Sequence, residues 1–190
     1  MKKIVDMLRK IKEWTESFAK KPHAMFALFV IAFVESSFFP IPPDVLLIAI
    51  GISFPKQSMK AAFWCSVGSV FGGIAGYFIG YAFMESIGIR IVEFYKAQEV
   101  WRHVVTSYHG EAGIWFLGGA AFTPIPYKIA TIAAGATQMP LITFIIISSL
   151  GRAARFFLVG GLIYHFGPTV KYYIDKYFDK LSLIFIILLV

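Results

Sequence analysis

Apolar runs set the frame of this chain, and polar residues punctuate them. Ala61 to Phe83 is 23 residues without a charge, enough for a helix across a hydrocarbon core that needs about 20. Two more apolar stretches, Ala24 to Gly51 and Ala112 to Gln138, are broken near their middles by Pro40, Pro42 and Pro43 and by Pro124 and Pro126. Proline inside a helix removes a hydrogen bond and clashes with the preceding turn. Each stretch therefore predicts a helical hairpin that enters the membrane, turns at the prolines and returns. Leu141 to Phe166 predicts a further crossing, interrupted by Arg152 and Arg155. In residues 1–22, Ile4, Leu8, Ile11, Trp14 and Phe18 recur at helical spacing among basic residues, which predicts an amphipathic helix on the membrane surface.

The two broken stretches are copies of one pattern. Phe39-Pro40-Ile41-Pro42-Pro43-Asp44 is answered 84 residues later by Thr123-Pro124-Ile125-Pro126-Tyr127-Lys128, and a glycine, Gly51 or Gly135, follows each charge by seven residues. Ser66-Val67-Gly68 is answered by Ser149-Leu150-Gly151 at almost the same offset. Each half then consists of a re-entrant hairpin and one transmembrane helix, and the single crossing between the hairpins inverts the second half. The expected fold is an all-α integral membrane protein: an interfacial helix over 1–22, a membrane domain over 23–166 with inverted repeats at 24–83 and 112–166, and a region 167–190. That last region is a polar tail, Lys171 to Lys180, followed by the start of a C-terminal apolar helix. Residues 84–111 form a semi-polar connector.

Composition and charge agree with a membrane location. Charged residues are only 15% of the chain and apolar residues 58%, against about 25% charged in soluble domains. With the N-terminus inside, twelve of the 18 Lys and Arg fall on the cytoplasmic side, including Lys56 and Lys60, and three, Arg90, Lys96 and Arg102, fall outside. This satisfies the positive-inside rule and predicts a multi-pass protein of the inner or plasma membrane. The long charged N-terminal region and the lack of a small-residue cleavage site argue against a cleaved signal peptide. The net charge of +7 points to anionic lipid head groups and not to nucleic acid. One cysteine, Cys65, allows no intramolecular disulfide, and His23, His103, His109 and His165 have no metal-ligand spacing. No phosphate loop, zinc motif or nucleophile elbow is present. We therefore expect no enzyme, no metal and no cofactor.

Five ionisable residues fall inside the apolar segments: Glu35, Asp44, Lys128, Arg152 and Arg155. A charge at a helix centre costs about 2.5–3.5 kcal/mol on insertion scales and by default faces a partner or a cavity. One reading makes the five a set of structural ion pairs that brace the two halves. The other makes them the lining of a polar cavity in mid-membrane, where broken helices are tolerated. Arg152 and Arg155, three residues apart, share a helix face, and two guanidinium groups suit a phosphate. Their other expected use is pairing with Glu35 and Asp44. Asp44 and Lys128 hold equivalent repeat positions with opposite charge, so they are expected to meet each other or to reach the arginines. Glu35, just before the break, is a candidate proton carrier. Gly68, Gly72, Gly76 and Gly80 recur every fourth residue, a stripe suited to close helix packing within the protein and less to dimerisation.

At these residues the chain resembles the DedA family, also called the SNARE-associated Golgi or VTT-domain family, and most closely its YqaA-like branch. The resemblance is carried by Glu35-Ser36-Ser37-Phe38-Phe39-Pro40-Ile41-Pro42-Pro43-Asp44, by Gly72-Gly73-Ile74-Ala75-Gly76-Tyr77, and by Phe122-Thr123-Pro124-Ile125-Pro126-Tyr127-Lys128 through Ala134-Gly135, and it covers roughly residues 24–166. It implies two opposed re-entrant hairpins and a flippase or scramblase role, moving a polyprenyl phosphate or phospholipid between leaflets with dependence on the proton motive force. The family's functional acids fall on Glu35 and Asp44. Its second motif usually has two arginines. Here the apolar stretch Gly119 to Ala121 occupies the position of the first, and Lys128 matches the second. Two alternatives stand beside lipid transport: proton-coupled transport of a small soluble anion, and a membrane scaffold that moves nothing.

Overall fold

The computed structural model describes residues 23–37, 43–123 and 126–189. The expected surface helix over 1–22 and the prolines Pro40, Pro42 and Pro124 lie outside the described residues. Among the described residues there is no strand. Helix α1 (Ala24–Ser37) and helix α2 (Pro43–Ser53) flank the first proline break. A single tight turn, Pro55–Gln57, leads into α3 (Ser58–Phe83). A π-helical turn at Met84–Gly88 passes α3 into α4 (Ile89–Phe94), and α5 (Gln98–His109) completes the connector. Helix α6 (Glu111–Phe122) and helix α7 (Tyr127–Ala136) flank the second break, and α8 (Leu141–Leu189) ends the described chain.

Local chemistry explains the breaks. Pro43 opens α2, where its fixed φ suits the first helical turn and its missing N–H costs nothing. Asp44 follows in that turn, where a carboxylate is favoured by the helix dipole. Thr123 precedes Pro124, which disfavours helical backbone at the residue before it. Thr123 is accordingly extended, at ψ 173°, and its hydroxyl donates back to Gly119 O at 2.7 Å. The connector reverses at Lys96, which takes a left-handed φ of 51° between α4 and α5.

Among the described residues, two segments are long and apolar enough to cross a membrane: Pro55–Phe94, 40 residues, and Leu141–Gly167, 27 residues. At about 1.5 Å per residue even the shorter exceeds a hydrocarbon core of roughly 30 Å. The region after residue 166 differs from expectation. Residues 167–189 continue α8 as one helix, so the polar stretch Lys171 to Lys180 is neither a separate tail nor the lead to a new helix. A change in polarity alters what a helix faces, but it does not interrupt the backbone hydrogen bonding.

Many small and polar residues lie in the interior beside a few large apolar ones such as Leu28, Leu117, Phe144 and Phe156, while many large apolar residues point outward. Ala32, Ala61, Ala62, Ala120, Ala130, Ser36, Ser69 and Thr131 are buried, while Phe26, Phe63, Phe71, Phe78, Trp115, Ile142 and Leu150 are exposed. Water would oppose that arrangement; lipid favours it, because close packing of small residues holds membrane helices together. The glycine stripe of α3 lies at the centre of this packing. A Cβ on Gly68 or Gly72 would strike the carbonyls of Phe29 and Phe33 in α1, and one on Gly76 or Gly80 would strike Thr131 and the Ile132 carbonyl in α7. Helix α3 is thus wedged between both helix pairs, and α8 closes each side: Phe156 packs with the first pair and Phe144 with the second. The connector is pinned to α7 and its end, where Tyr108 donates to Ala130 O at 3.1 Å and His109 Nε2 lies 2.6 Å from Thr137 O. Burial raises the Tyr108 phenol above its ordinary value, which keeps it a neutral donor.

Candidate functional site

Helix ends that flank the two proline breaks converge on the inward face of α8, and the contacts are made by Arg152 and Arg155. Arg152 is 2% exposed. One of its terminal nitrogens donates to Glu35 Oε2 at 3.2 Å, at the end of α1, and its Nε donates to Ser69 Oγ in α3. Its guanidinium lies over two rings, Tyr127 of α7 at 4.7 Å and Phe156 at 4.6 Å. Ser36 joins the network: its hydroxyl lies 2.7 Å from Ser69 Oγ and donates to Glu35 Oε2 at 3.3 Å. One guanidinium therefore ties together α1, α3, α7 and α8.

Arg155, a turn further on, ties the breaks themselves. It donates to Asp44 Oδ2 at 2.6 Å, at the start of α2, and to Thr123 O at 3.0 Å, at the end of α6. Phe156 is in reach of this guanidinium too, at 5.7 Å. The end of α1 and the start of α7 also touch, for Thr131 Oγ1 is 3.5 Å from Ser36 O while it donates to Lys128 O at 2.9 Å. These two ion pairs differ in shielding. Arg152 and Glu35 have side chains 2% and 16% exposed, against 20% and 25% for Arg155 and Asp44.

Of the five ionisable residues singled out from sequence, four are thus joined as acid–arginine pairs across the two halves. Lys128 is not. It is half-buried at the start of α7 and makes no ion pair among the described residues. Of the two contacts expected of Asp44, with Lys128 or with the arginines, the second is made: Arg155 holds its carboxylate. Pro43 and Pro126 bound the breaks as expected. Sequence reasoning missed Ser36, Ser69, Tyr127 and Phe156. The hydroxyl residues had a signal: Ser36 adjoins Glu35, and Ser69 adjoins the glycine stripe. Two more interior hydroxyls, of Tyr127 and Ser148, are buried beside each other in the same interior as the Arg152 network.

The VTT domain family matches residues 41–165 of this chain. An uncharacterized protein of Haemophilus influenzae is 40% identical over 162 residues, covering 85% of this chain and 81% of that protein. An uncharacterized protein of Histophilus somni is 41% identical over 145 residues, covering 76% of this chain and 75% of that one. An uncharacterized protein of Methanocaldococcus jannaschii is 24% identical over 138 residues, covering 71% and 81%. No solved structure matches the chain. With two helices of membrane-crossing length, four intramembrane charges paired across its halves and this match over most of its length, the chain belongs to the VTT-domain, or DedA, family.

Proposed function

We propose that this protein moves a phosphate-bearing lipid, a polyprenyl phosphate or a phospholipid, between the leaflets of its membrane. The head group passes the centre where two re-entrant hairpins of opposed orientation meet α8. The observation that carries the reading is Lys128, a half-buried cation at a helix break with no carboxylate partner among the described residues. An intramembrane charge without a protein partner calls for a ligand of opposite sign. Arg152 and Arg155 are neutralised by Glu35 and Asp44, so Lys128 makes the first contact with an incoming phosphate. A proton taken up by either acid releases its arginine, which then joins Lys128 in holding the anion. This gives the proton motive force a place to act. Membership of the VTT-domain family supports a transporter-like role.

The test is reconstitution into liposomes with fluorescent undecaprenyl phosphate and fluorescent phospholipids, followed by reduction of outer-leaflet label. The native protein should move at least one of them, and Lys128→Gln should slow that movement at least tenfold. The melting temperature of Lys128→Gln should stay near that of the native protein, since no ion pair is broken. Absence of any lipid movement, or full movement by Lys128→Gln, would overturn the proposal. Uptake of a soluble anion under a pH gradient without lipid movement would replace it with small-anion transport.

A further inference from the structure

Away from the charged centre, a cavity of about 630 Å³ opens between the end of α2, the turn before α3, and α8. Its walls are Ser53, Phe54, Pro55, Lys56, Gln57 and Tyr164. Tyr164 lies twelve residues beyond Arg152, or about 18 Å along the helix. The cavity lies at the basic end of the apolar runs: Lys56 and Lys60 precede the uncharged stretch Ala61 to Phe83, and Lys171 follows Tyr164 by seven residues. The two ends are packed together, since a Cβ on Gly167 would come within 3.3 Å of Pro55 Cγ. This is the level at which lipid head groups meet a membrane protein.

The lining has the chemistry of an anion seat with an apolar wall. Lys56 is exposed and makes no ion pair among the described residues, and none of the described lining residues is a carboxylate. Gln57 adds an exposed amide, and Ser53 carries a buried hydroxyl with no hydrogen-bond partner. Tyr164 is 47% exposed, an amphipathic ring of the kind found at head-group depth. The turn that carries these groups is held in advance: Gln57 N donates to Phe54 O at 2.8 Å, and Ser58 Oγ to Pro55 O at 2.7 Å.

We propose that this cavity holds the head group of an anionic phospholipid of the surrounding leaflet, its phosphate on Lys56 and Gln57 and its chains along the apolar exterior of α3. The occupant is a resident lipid and not the molecule being moved, so the site goes beyond the proposed transport and stands apart from the Lys128 centre. The experiment uses the full chain in a zwitterionic detergent, with thermal unfolding followed as dioctanoyl-phosphatidylglycerol is titrated in. Dioctanoyl-phosphatidylcholine and inorganic phosphate are run in parallel. Phosphatidylglycerol should raise the melting temperature saturably, and the other two should not. Lys56→Gln should weaken that response about fivefold, the worth of one basic group at a membrane surface. Lys60→Gln, an exposed lysine one turn on that does not line the cavity, should leave it unchanged. Equal stabilisation by phosphatidylcholine or by inorganic phosphate would overturn the proposal, as would an unchanged response in Lys56→Gln. Loss of the response in Lys128→Gln with retention in Lys56→Gln would overturn it too, because the lipid would then be held at the centre. None of these outcomes depends on whether the protein moves lipid.

Discussion

Glu35→Gln should be among the most destabilising conservative changes in this chain. It leaves an acceptor for Ser36 and Arg152 but removes the only carboxylate that Arg152 pairs with among the described residues. The guanidinium left behind is 2% exposed and has only Ser69 and two aromatic rings as other partners. Breaking a buried pair by removing one partner costs about 3–5 kcal/mol. In a chain of 190 residues each kcal/mol shifts the melting temperature by about 2–4 °C, so the expected fall is roughly 6–20 °C. Removing both charges, as Glu35→Gln with Arg152→Met, eliminates the stranded cation. Replacement of a buried pair by apolar groups is often neutral or better, so the double variant should recover most of the loss. The protein supplies its own probe. Cys65 is the only cysteine, is buried and free, and will react with a thiol-sensitive dye only as the helices separate. If Glu35→Gln melts within about 2 °C of the native protein, or the two single losses simply add in the double variant, the Arg152–Glu35 pair does not brace the centre.

Two further outcomes follow from the packing and the spans. Gly72→Ala forces a methyl onto the Phe33 carbonyl; overpacking of about 1–3 kcal/mol should lower the melting temperature by roughly 2–12 °C, whereas Gly161→Ala, with nothing within 4 Å of the new methyl, should not lower it. In a Cys65→Ala background, cysteines at Lys56 and at Lys96 flank the uncharged run Ala61 to Phe83 and should label from opposite sides of the membrane, Lys56 from the cytoplasm; labelling from one side would refute a single crossing between the two helix pairs.

Much of this arrangement was legible in the sequence, and the physical reason differs from one element to another. The breaks were legible because proline acts on its own backbone and on the residue before it, so Pro43 and Thr123 could be read without knowing what surrounds them. The glycine stripe was legible because a four-residue spacing puts Gly68, Gly72, Gly76 and Gly80 on one helix face. The continuity of α8 was not legible, since hydropathy reports the environment of side chains and the polar stretch Lys171 to Lys180 remains helical. The partner of Asp44 was legible only as one of two readings, Lys128 or the arginines. Repeat symmetry says that Asp44 and Lys128 occupy equivalent positions, but equivalence about an axis does not require contact. The long side chain of Arg155 spans the gap between the two breaks, and it takes both the Asp44 carboxylate and the Thr123 carbonyl. Ser69 and Tyr127 were passed over because a hydroxyl among apolar residues is common in membrane helices, and only a neighbouring guanidinium gives it meaning.

The distribution of charge at the centre also constrains how transport and protons would be linked. Glu35 and Asp44 are each paired with an arginine, so Lys128, at the start of α7 and without an ion pair among the described residues, is the positive charge left over from the five. On the proposed function, that charge receives the lipid phosphate. Protonating either acid makes the centre more positive and frees an arginine, so proton uptake strengthens the hold on the anion. Loss of that proton restores the ion pair, competes for the arginine and releases the anion. On the proposed function, proton and phosphate would then be bound together and released together, which would couple them in the same direction across the membrane. The opposite sign of coupling would require the acid to be ionised when the phosphate is held. The carboxylate and the phosphate would then compete for one guanidinium. With Arg155 held to Asp44 at 2.6 Å and to Thr123 at 3.0 Å, an arriving phosphate would compete with a carboxylate already bound there, and on the proposed function co-transport is the sign that follows.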